Sequence, residues 1–592
     1  MSFFHCPPGL LYLIQIAPKL AFVPFLVFVA HRYILPDTLP NYVWTFAYLV
    51  AIPALVVVHG ILRYFKQERE IRKLGARRVP QVPARLPAGL DLLQAIMDSF
   101  ADGYFGDIWE EWRQQHGPIF NIRAFWEDLA MLVTEFDKFE KGEFFKWYNQ
   151  SVLGDGVFNS DGDMWKFHRG MTRPFFARDR VTDFETFNTH AEVVISRMKE
   201  RFARGEAVDF QDIMSRFTLD SATEFLFGSC VHSLSAQLPY AHNSSRKDTL
   251  NFFSSHSSDK FAAAFLQAQQ QIAKRNWLAN VWPLAEFWKD KTKDSMKLIY
   301  EYIDPILKEA VTKKKVKVGG SSPKDAIEDN SLTLLDHLVV HTSDFVMLRD
   351  EILNILIAGR DTTMATLTYA IYCLSQYPNV LATLREEILR QVGPSRQPTF
   401  DDVKECKFLR AVINETLRLY PPVPFNVRHS KQSTVWPAKD GGKPWYIPAG
   451  IDLPYSVWLM HRRTDLWGPD ATEFDPNRFL DERLHKYLVP NSFIFMPFNA
   501  GPRICLGQQF AYNEVSFMLI RLLQAFDTII LDFSAQPPES RPPTSWKRAT
   551  GTQVRDQIWP KSHVTLYAHM GVWLKMREAQ DAIQADALTD SG

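Results

Sequence analysis

Phe498-Asn-Ala-Gly-Pro-Arg-Ile-Cys505-Leu-Gly507 decides the fold of this 592-residue chain. It sets one cysteine between Gly501 and Gly507, with Arg503 two residues ahead and Phe498 at its head. A thiolate is a soft anionic ligand suited to iron, where it pushes electron density toward bound dioxygen. Glycines on both sides let the backbone turn tightly, so that peptide N–H groups point at the sulfur. Arg503 adds a cation where an acidic substituent of a bound group would lie. The plainer fate of a lone cysteine is a place in the core. So many fixed positions in so short a run favour the ligand.

Upstream, Asp350 to Tyr377 reads as one long apolar helix containing Ala358-Gly359-Arg360-Asp361-Thr362-Thr363. Ala358, Asp361 and Thr362 fall at i, i+3 and i+4, on one face. Gly359 costs ~1 kcal/mol against Ala in a helix, so its place beside polar side chains needs a reason. One reason is close packing, with hydroxyls bonding back to carbonyls one turn earlier; the other is a groove for a small ligand. Glu415-Thr-Leu-Arg418 precedes Tyr420-Pro-Pro422 and pairs opposite charges at i, i+3. Phe474-Asp-Pro-Asn-Arg478-Phe brings a further arginine, and Arg428 lies beyond the prolines. Leu153-Gly-Asp-Gly to Trp165-Lys-Phe-His-Arg169 is a turn-rich loop entering a helix, capped by Asp161 or Asp163, with Trp165 and Arg169 on one face. His461 reads as a surface or hydrogen-bonded residue rather than a ligand. After Asp527, Thr528-Ile-Ile-Leu and Val564-Thr-Leu-Tyr read as β-hairpins.

The N-terminus is apolar twice over. Leu10 to Ala30 carries Pro18, Lys19 and Pro24, so it spans, re-enters or lies in an interface. Tyr42 to Phe65 would make ~36 Å of helix, enough for a hydrocarbon core of ~30 Å. Trp44, Tyr48 and Tyr64 suit the interfaces, and the basic flank Lys66 to Arg78 argues that everything after residue 65 is cytosolic. A cleaved signal peptide is the rival, but the segment is too long and too far from the start. Expected boundaries are an anchor at 1–65, a basic and proline-rich linker at 66–89, one catalytic domain at 90–575 and a polar tail at 576–592. Tyr240–Asp248 and Lys313–Asn330 read as exposed loops, the second mobile. With 67 basic and 67 acidic residues, no global field points to nucleic acid. Five scattered cysteines give neither a disulfide framework nor a zinc motif.

Taken together and in this order, the motifs resemble those of the cytochrome P-450 monooxygenases. The resemblance implies a mainly α fold with small β-sheets behind an N-terminal membrane anchor. It implies heme b with Cys505 as axial thiolate and Trp165, Arg169, Arg428 and Arg503 at the propionates. Phe498, Gly501 and Gly507 would shape the loop, and Asp361 and Thr362 would activate oxygen in a widened groove. Glu415, Arg418 and Arg478 would form a structural charge cluster, although Asn477 stands where the family usually has Glu. Phe261 to Trp288 would roof the substrate cavity, or equally be ordinary core. Electrons would come from NADPH through NADPH-cytochrome P-450 reductase, with cytochrome b5 as an optional second donor, at the endoplasmic reticulum membrane. The Leu153–Phe176 stretch resembles most closely fungal hydroxylases of alkanes and fatty acids, which implies an apolar substrate. A terpenoid hydroxylase, a reductase-independent haem-thiolate isomerase and a haem-binding sensor stay open as alternatives.

Overall fold

The computed structural model describes residues 6–35, 38–124, 127–130, 138–176, 184–245, 257–317, 333–438, 440–549 and 551–580. The loop expected at Lys313–Asn330, the end of that at Tyr240–Asp248 and the tail beyond residue 580 lie wholly or mostly outside them. Helices dominate, and three small sheets and a hairpin lie among them.

The central helix, Phe345–Gln376, starts before Asp350 because the Asp344 carboxylate accepts from Val346 N–H and Met347 N–H. Its residues from Asp350 to Ile357 and from Thr363 to Leu374 are all buried. It packs most extensively on Phe210–Phe227, and also on Lys407–Leu419 and Gln508–Ala525, the helix that follows the cysteine loop. One apolar cluster joins these elements through Phe217, Leu367, Ile371, Leu417, Phe517 and Leu519.

The helical segments Pro8–Ile34 and Asn41–Lys73 are both long and apolar enough to cross a membrane. The second runs past Phe65 into the basic segment. Gln67 and Ile71, one turn apart, are buried there, and Glu70 accepts from Tyr446. The linker is thus docked rather than a free spacer. Arg77–Arg78 pairs in parallel with Trp445–Tyr446, Arg77 stacks on Trp445, and Val79 and Val82 are buried. The first helix also touches the globular part: Gly9 N–H donates to Phe287 O, and Tyr12 stacks on Trp147.

A five-stranded sheet runs Asn121–Ala124, Glu127–Ala130, Asp452–Ser456, Phe425–Ser430, Phe139–Glu140, and places Arg428 opposite Leu453. At the C-terminus only one expected hairpin forms, Pro560–Ser562 with Leu566–Ala568. Phe526–Leu531 pairs instead with the distant Trp573–Glu578, which also takes up Val208–Asp209. The fold therefore continues past residue 576, with Met576 and Ala579 buried.

Candidate active site

The cysteine loop is closed by its own backbone. Cys505 N–H donates to Phe498 O at 2.9 Å, and Gly507 N–H donates to the sulfur. Gly501 has φ +70°, a left-handed conformation that favours glycine. Gly507 does not need its glycine for the turn: its φ is −83°, and a Cβ there would make ordinary contacts, 3.7 Å from Phe176 and 4.0 Å from the sulfur. Phe498 packs on Tyr512, with ring centroids 5.0 Å apart. Burial pushes the Cys505 thiol up, against the Gly507 N–H and the Arg169 guanidinium. Cys505 is an exposed residue of the loop.

In the central helix, Ala358, Gly359 and Thr362 keep accessible surface between two fully buried stretches. The helix passes through this turn unbroken, so the expected widening is not seen. Thr362 Oγ1 donates to Ala358 O at 2.6 Å, which is the back-bonded arrangement. Nor is Gly359 needed for close packing, because a Cβ there would lie 3.8 Å from Ala222 Cβ. Asp361, 2% exposed, faces inward: Oδ1 accepts from Arg360 at 2.9 Å, while Oδ2 is buried with no partner. Arg360 is held in turn by Ser215, at 2.6 Å.

Four cations converge beside the loop. Arg503 lies over the Trp165 ring at 4.6 Å, and Arg169 is 5.7 Å from the same ring. Arg503 also bonds Ser160 O and the Asp161 carboxylate, and Arg169 donates to Ile504 O. Asp161 occupies the helix N-cap position, but its side chain does not cap. It accepts instead from Lys141 N–H and Gly142 N–H. Arg428 donates to Val427 O and stands beside Lys141, whose ammonium bonds Asn426 at 2.8 Å. Lys141 is pulled well below its ordinary range by burial, with Arg428 and Arg503 adding repulsion. Arg503 is drawn down to about 10 by burial, which outweighs the attraction of Asp161. Its Nε is buried without a partner. Sequence reading missed Lys141, because Phe139-Glu-Lys141-Gly carries no spacing signal.

The expected charge cluster is fully buried. Glu415 receives Arg418 at 2.7 and 2.8 Å and Asp475 N–H at 2.9 Å. Arg478 reaches Glu415 only at 3.5 Å and is bound more closely by Asp470. His461 is part of this brace: Nδ1–H donates to Arg418 O, and Nε2 accepts from Met496 N–H, just ahead of the cysteine loop. A second brace was invisible in the sequence. Asp350, Glu351 and Asn354 of the central helix accept from the N–H groups of Asp155, Val157 and Phe158. A Cβ on Gly154 or Gly156 would strike Asp350 or Asn354, at 2.0 and 2.4 Å. His190, Asp220 and Cys230 also gather at metal-ligand spacing. Asp220 is already committed to Ser233 and Leu234, however, and His190 to Glu224.

The cytochrome P450 family model matches residues 80–554. The chain belongs to the cytochrome P450 family. It is 32% identical to cytochrome P450 52A5 of Candida maltosa over 530 residues, 86% of this chain and 96% of that one. It is 34% identical to cytochrome P450 52E1 of Candida apicola over 502 residues, 81% and 91% of the two chains. Cytochrome P450 monooxygenase pvhE of Talaromyces variabilis is 32% identical over 508 residues, 80% and 88%. As a cytochrome P450 the chain is a monooxygenase, an oxidoreductase whose family binds haem through an axial cysteine thiolate. The residues present fit that group. An exposed cysteine sits beside Arg169, Arg503, Arg428 and Lys141, the last two close enough to Arg503 and to each other to repel, so the cluster has room for the two carboxylates of such a cofactor.

Proposed function

We propose that this cytochrome P450 hydroxylates long-chain alkanes, fatty acids or aromatic hydrocarbons at a membrane surface, with electrons from NADPH through a reductase. When bound, the haem supplies dioxygen activation and insertion of one oxygen atom into a C–H bond. In this reading Cys505 is the axial ligand, and Lys141, Arg169, Arg428 and Arg503 hold the two propionates. The Thr362 hydroxyl, having donated its proton to Ala358 O, offers lone pairs on the accessible face of the helix. Asp361 Oδ2 is an unengaged acceptor behind it, placed to pass a proton through a water. Glu415, Arg418 and Arg478 serve the loop's position rather than its chemistry.

The observation that supports the substrate class is an aromatic cluster in which residues 100–109 and Trp277 meet Phe425. Phe100 and Trp277 lie 3.8 Å apart, and Phe105, Trp109 and Trp277 surround Phe425 at 5.6 to 6.5 Å. Phe100, Trp277 and Phe425 are only partly buried. Phe261 and Phe265, read from the sequence as roof or core, belong to the core: they are 2% and 1% exposed, with Phe261 packed on Tyr302. Apolar surface of this kind holds a ligand by burial, at ~25 cal/mol per Å². A docked anchor at the endoplasmic reticulum, with the catalytic domain in the cytosol, would concentrate hydrocarbons there. A panel of alkanes, fatty acids, polycyclic aromatics and sesquiterpenes, incubated with reductase and NADPH, tests the reading. Turnover of the alkyl chains is expected; turnover confined to the terpenes refutes it.

A further inference from the structure

Glu514 stands on the Gln508–Ala525 helix that leaves the cysteine loop, and it is 1% exposed. Its carboxyl meets two hydroxyls, Thr363 of the central helix and Ser221 of Phe210–Phe227. These hydroxyls and both carboxyl oxygens are buried and make no hydrogen bond of ordinary geometry, to one another or to any other described group. Among the described residues no cation compensates the group. Asp220, next to Ser221, is occupied by Ser233 and Leu234. The flanking positions of its own helix are apolar or amide: Phe510, Asn513 and Phe517.

An ionised carboxylate here would be a bare charge among apolar side chains, which is costly. A carboxylic acid has one O–H to give and lone pairs to accept with, so it closes a donor chain with two hydroxyls. We propose that Glu514 is kept as a neutral acid and acts as a positioning residue. Through Thr363 and Ser221 it fixes the turn bearing Asp361 and Thr362 against the helix that follows Cys505. Burial raises this carboxyl to about 8, with the two hydroxyls pulling the other way. The acid form therefore persists at neutral pH.

Thermal and chemical unfolding of the full chain in detergent, from pH 5.5 to 9, tests the protonation. A carboxyl whose folded value exceeds its unfolded one binds a proton only in the folded chain between those values. Its stabilisation is complete below the unfolded value and is lost as pH rises to the folded one. The unfolding constant of the wild type, divided by that of Glu514→Gln, should rise about tenfold per pH unit up to about pH 8 and then level. A ratio independent of pH overturns the proposal. Thr363→Val removes a partner of the charged form, so the rise should continue to higher pH; an unchanged window overturns the contact. This variant also serves if Glu514→Gln does not accumulate. Positioning is read from hydrogen peroxide released per NADPH with reductase and hexadecane. Glu514→Leu should raise it and Glu514→Gln should restore it, whereas equal release from wild type and Glu514→Leu overturns the positioning role.

Discussion

Replacing Glu415 by Leu should cost this enzyme ~3–5 kcal/mol, the range for removing one partner of a buried ion pair. The carboxylate is fully buried and receives Arg418 twice and Asp475 N–H once. Without it, an equally buried guanidinium faces only the carbonyls of His461, Ala471 and Glu473. Unfolding entropy of ~2.1 cal/mol/K per residue, over a catalytic region of roughly 500 residues, gives about 1 kcal/mol per kelvin, so Tm should fall by about 3–5 °C. Many buried pairs tolerate joint replacement by apolar residues. Here the double variant Glu415→Leu/Arg418→Met should stay unstable, because it strands the three carbonyls that Arg418 satisfies. The damage should also reach the thiolate, since Arg418 O holds His461, His461 holds Met496 N–H, and Phe498 O holds Cys505 N–H. Thermal unfolding of detergent-solubilised chain, followed with the reduced CO-difference spectrum, measures both effects. A single variant within 1 °C of wild type that keeps its spectrum would refute the reasoning.

Cys505→Ala should abolish both the thiolate-type CO spectrum and oxygenation; retention of both would mean that another residue ligates the iron. Thr362→Ala should still bind haem and consume NADPH, with ~10-fold or greater loss of product per NADPH and a matching rise in peroxide. Unchanged coupling would leave Thr362 only its bond to Ala358. His461 is pushed down to about 3 by burial, so from about pH 6.5 downward the unfolded chain gains a proton that the folded one refuses. Stability should then fall by up to ~1.4 kcal/mol per pH unit, a slope that His461→Gln should flatten in denaturant titrations at pH 4.5 to 7.

What the sequence disclosed follows from how locally each feature closes. The Cys505 loop is sealed by Phe498 O within its own motif, and Arg418 meets Glu415 one turn away, so spacing alone revealed both. Lys141 reaches the cation cluster through Asn426, a residue that only the five-stranded sheet brings near. Asp350, Glu351 and Asn354 looked like the polar start of an apolar helix. Their partners are main-chain amides of a loop some two hundred positions earlier, and an amide leaves no mark in composition. The apolar run Thr528–Leu531 announced a strand but not its partner, because alternation fixes which face is buried and not which edge is paired. Charge after Phe65 suggested a helix end; Gln67 and Ile71 on one buried face carry the helix on to Lys73.

Scaffold and chemistry separate by whether the buried polar groups are satisfied. Glu415, Arg418 and His461 form a closed circuit in which each hydrogen-bonding group named above is matched, and such a circuit rigidifies what it joins. The turn from Arg360 to Thr363 is built the opposite way. Arg360 Nε and Asp361 Oδ2 are buried without partners, and Thr362 gives its only O–H to Ala358 O. Each such group costs about 1–3 kcal/mol if nothing meets it. Two in one turn of a core helix call for an explanation such as a bound water, strain or a catalytic role. The same turn abuts the acid of Glu514 on one side and keeps the accessible face of Thr362 on the other. Unmet polarity within an unbroken helix is thus what marks this turn as the one proposed to handle oxygen.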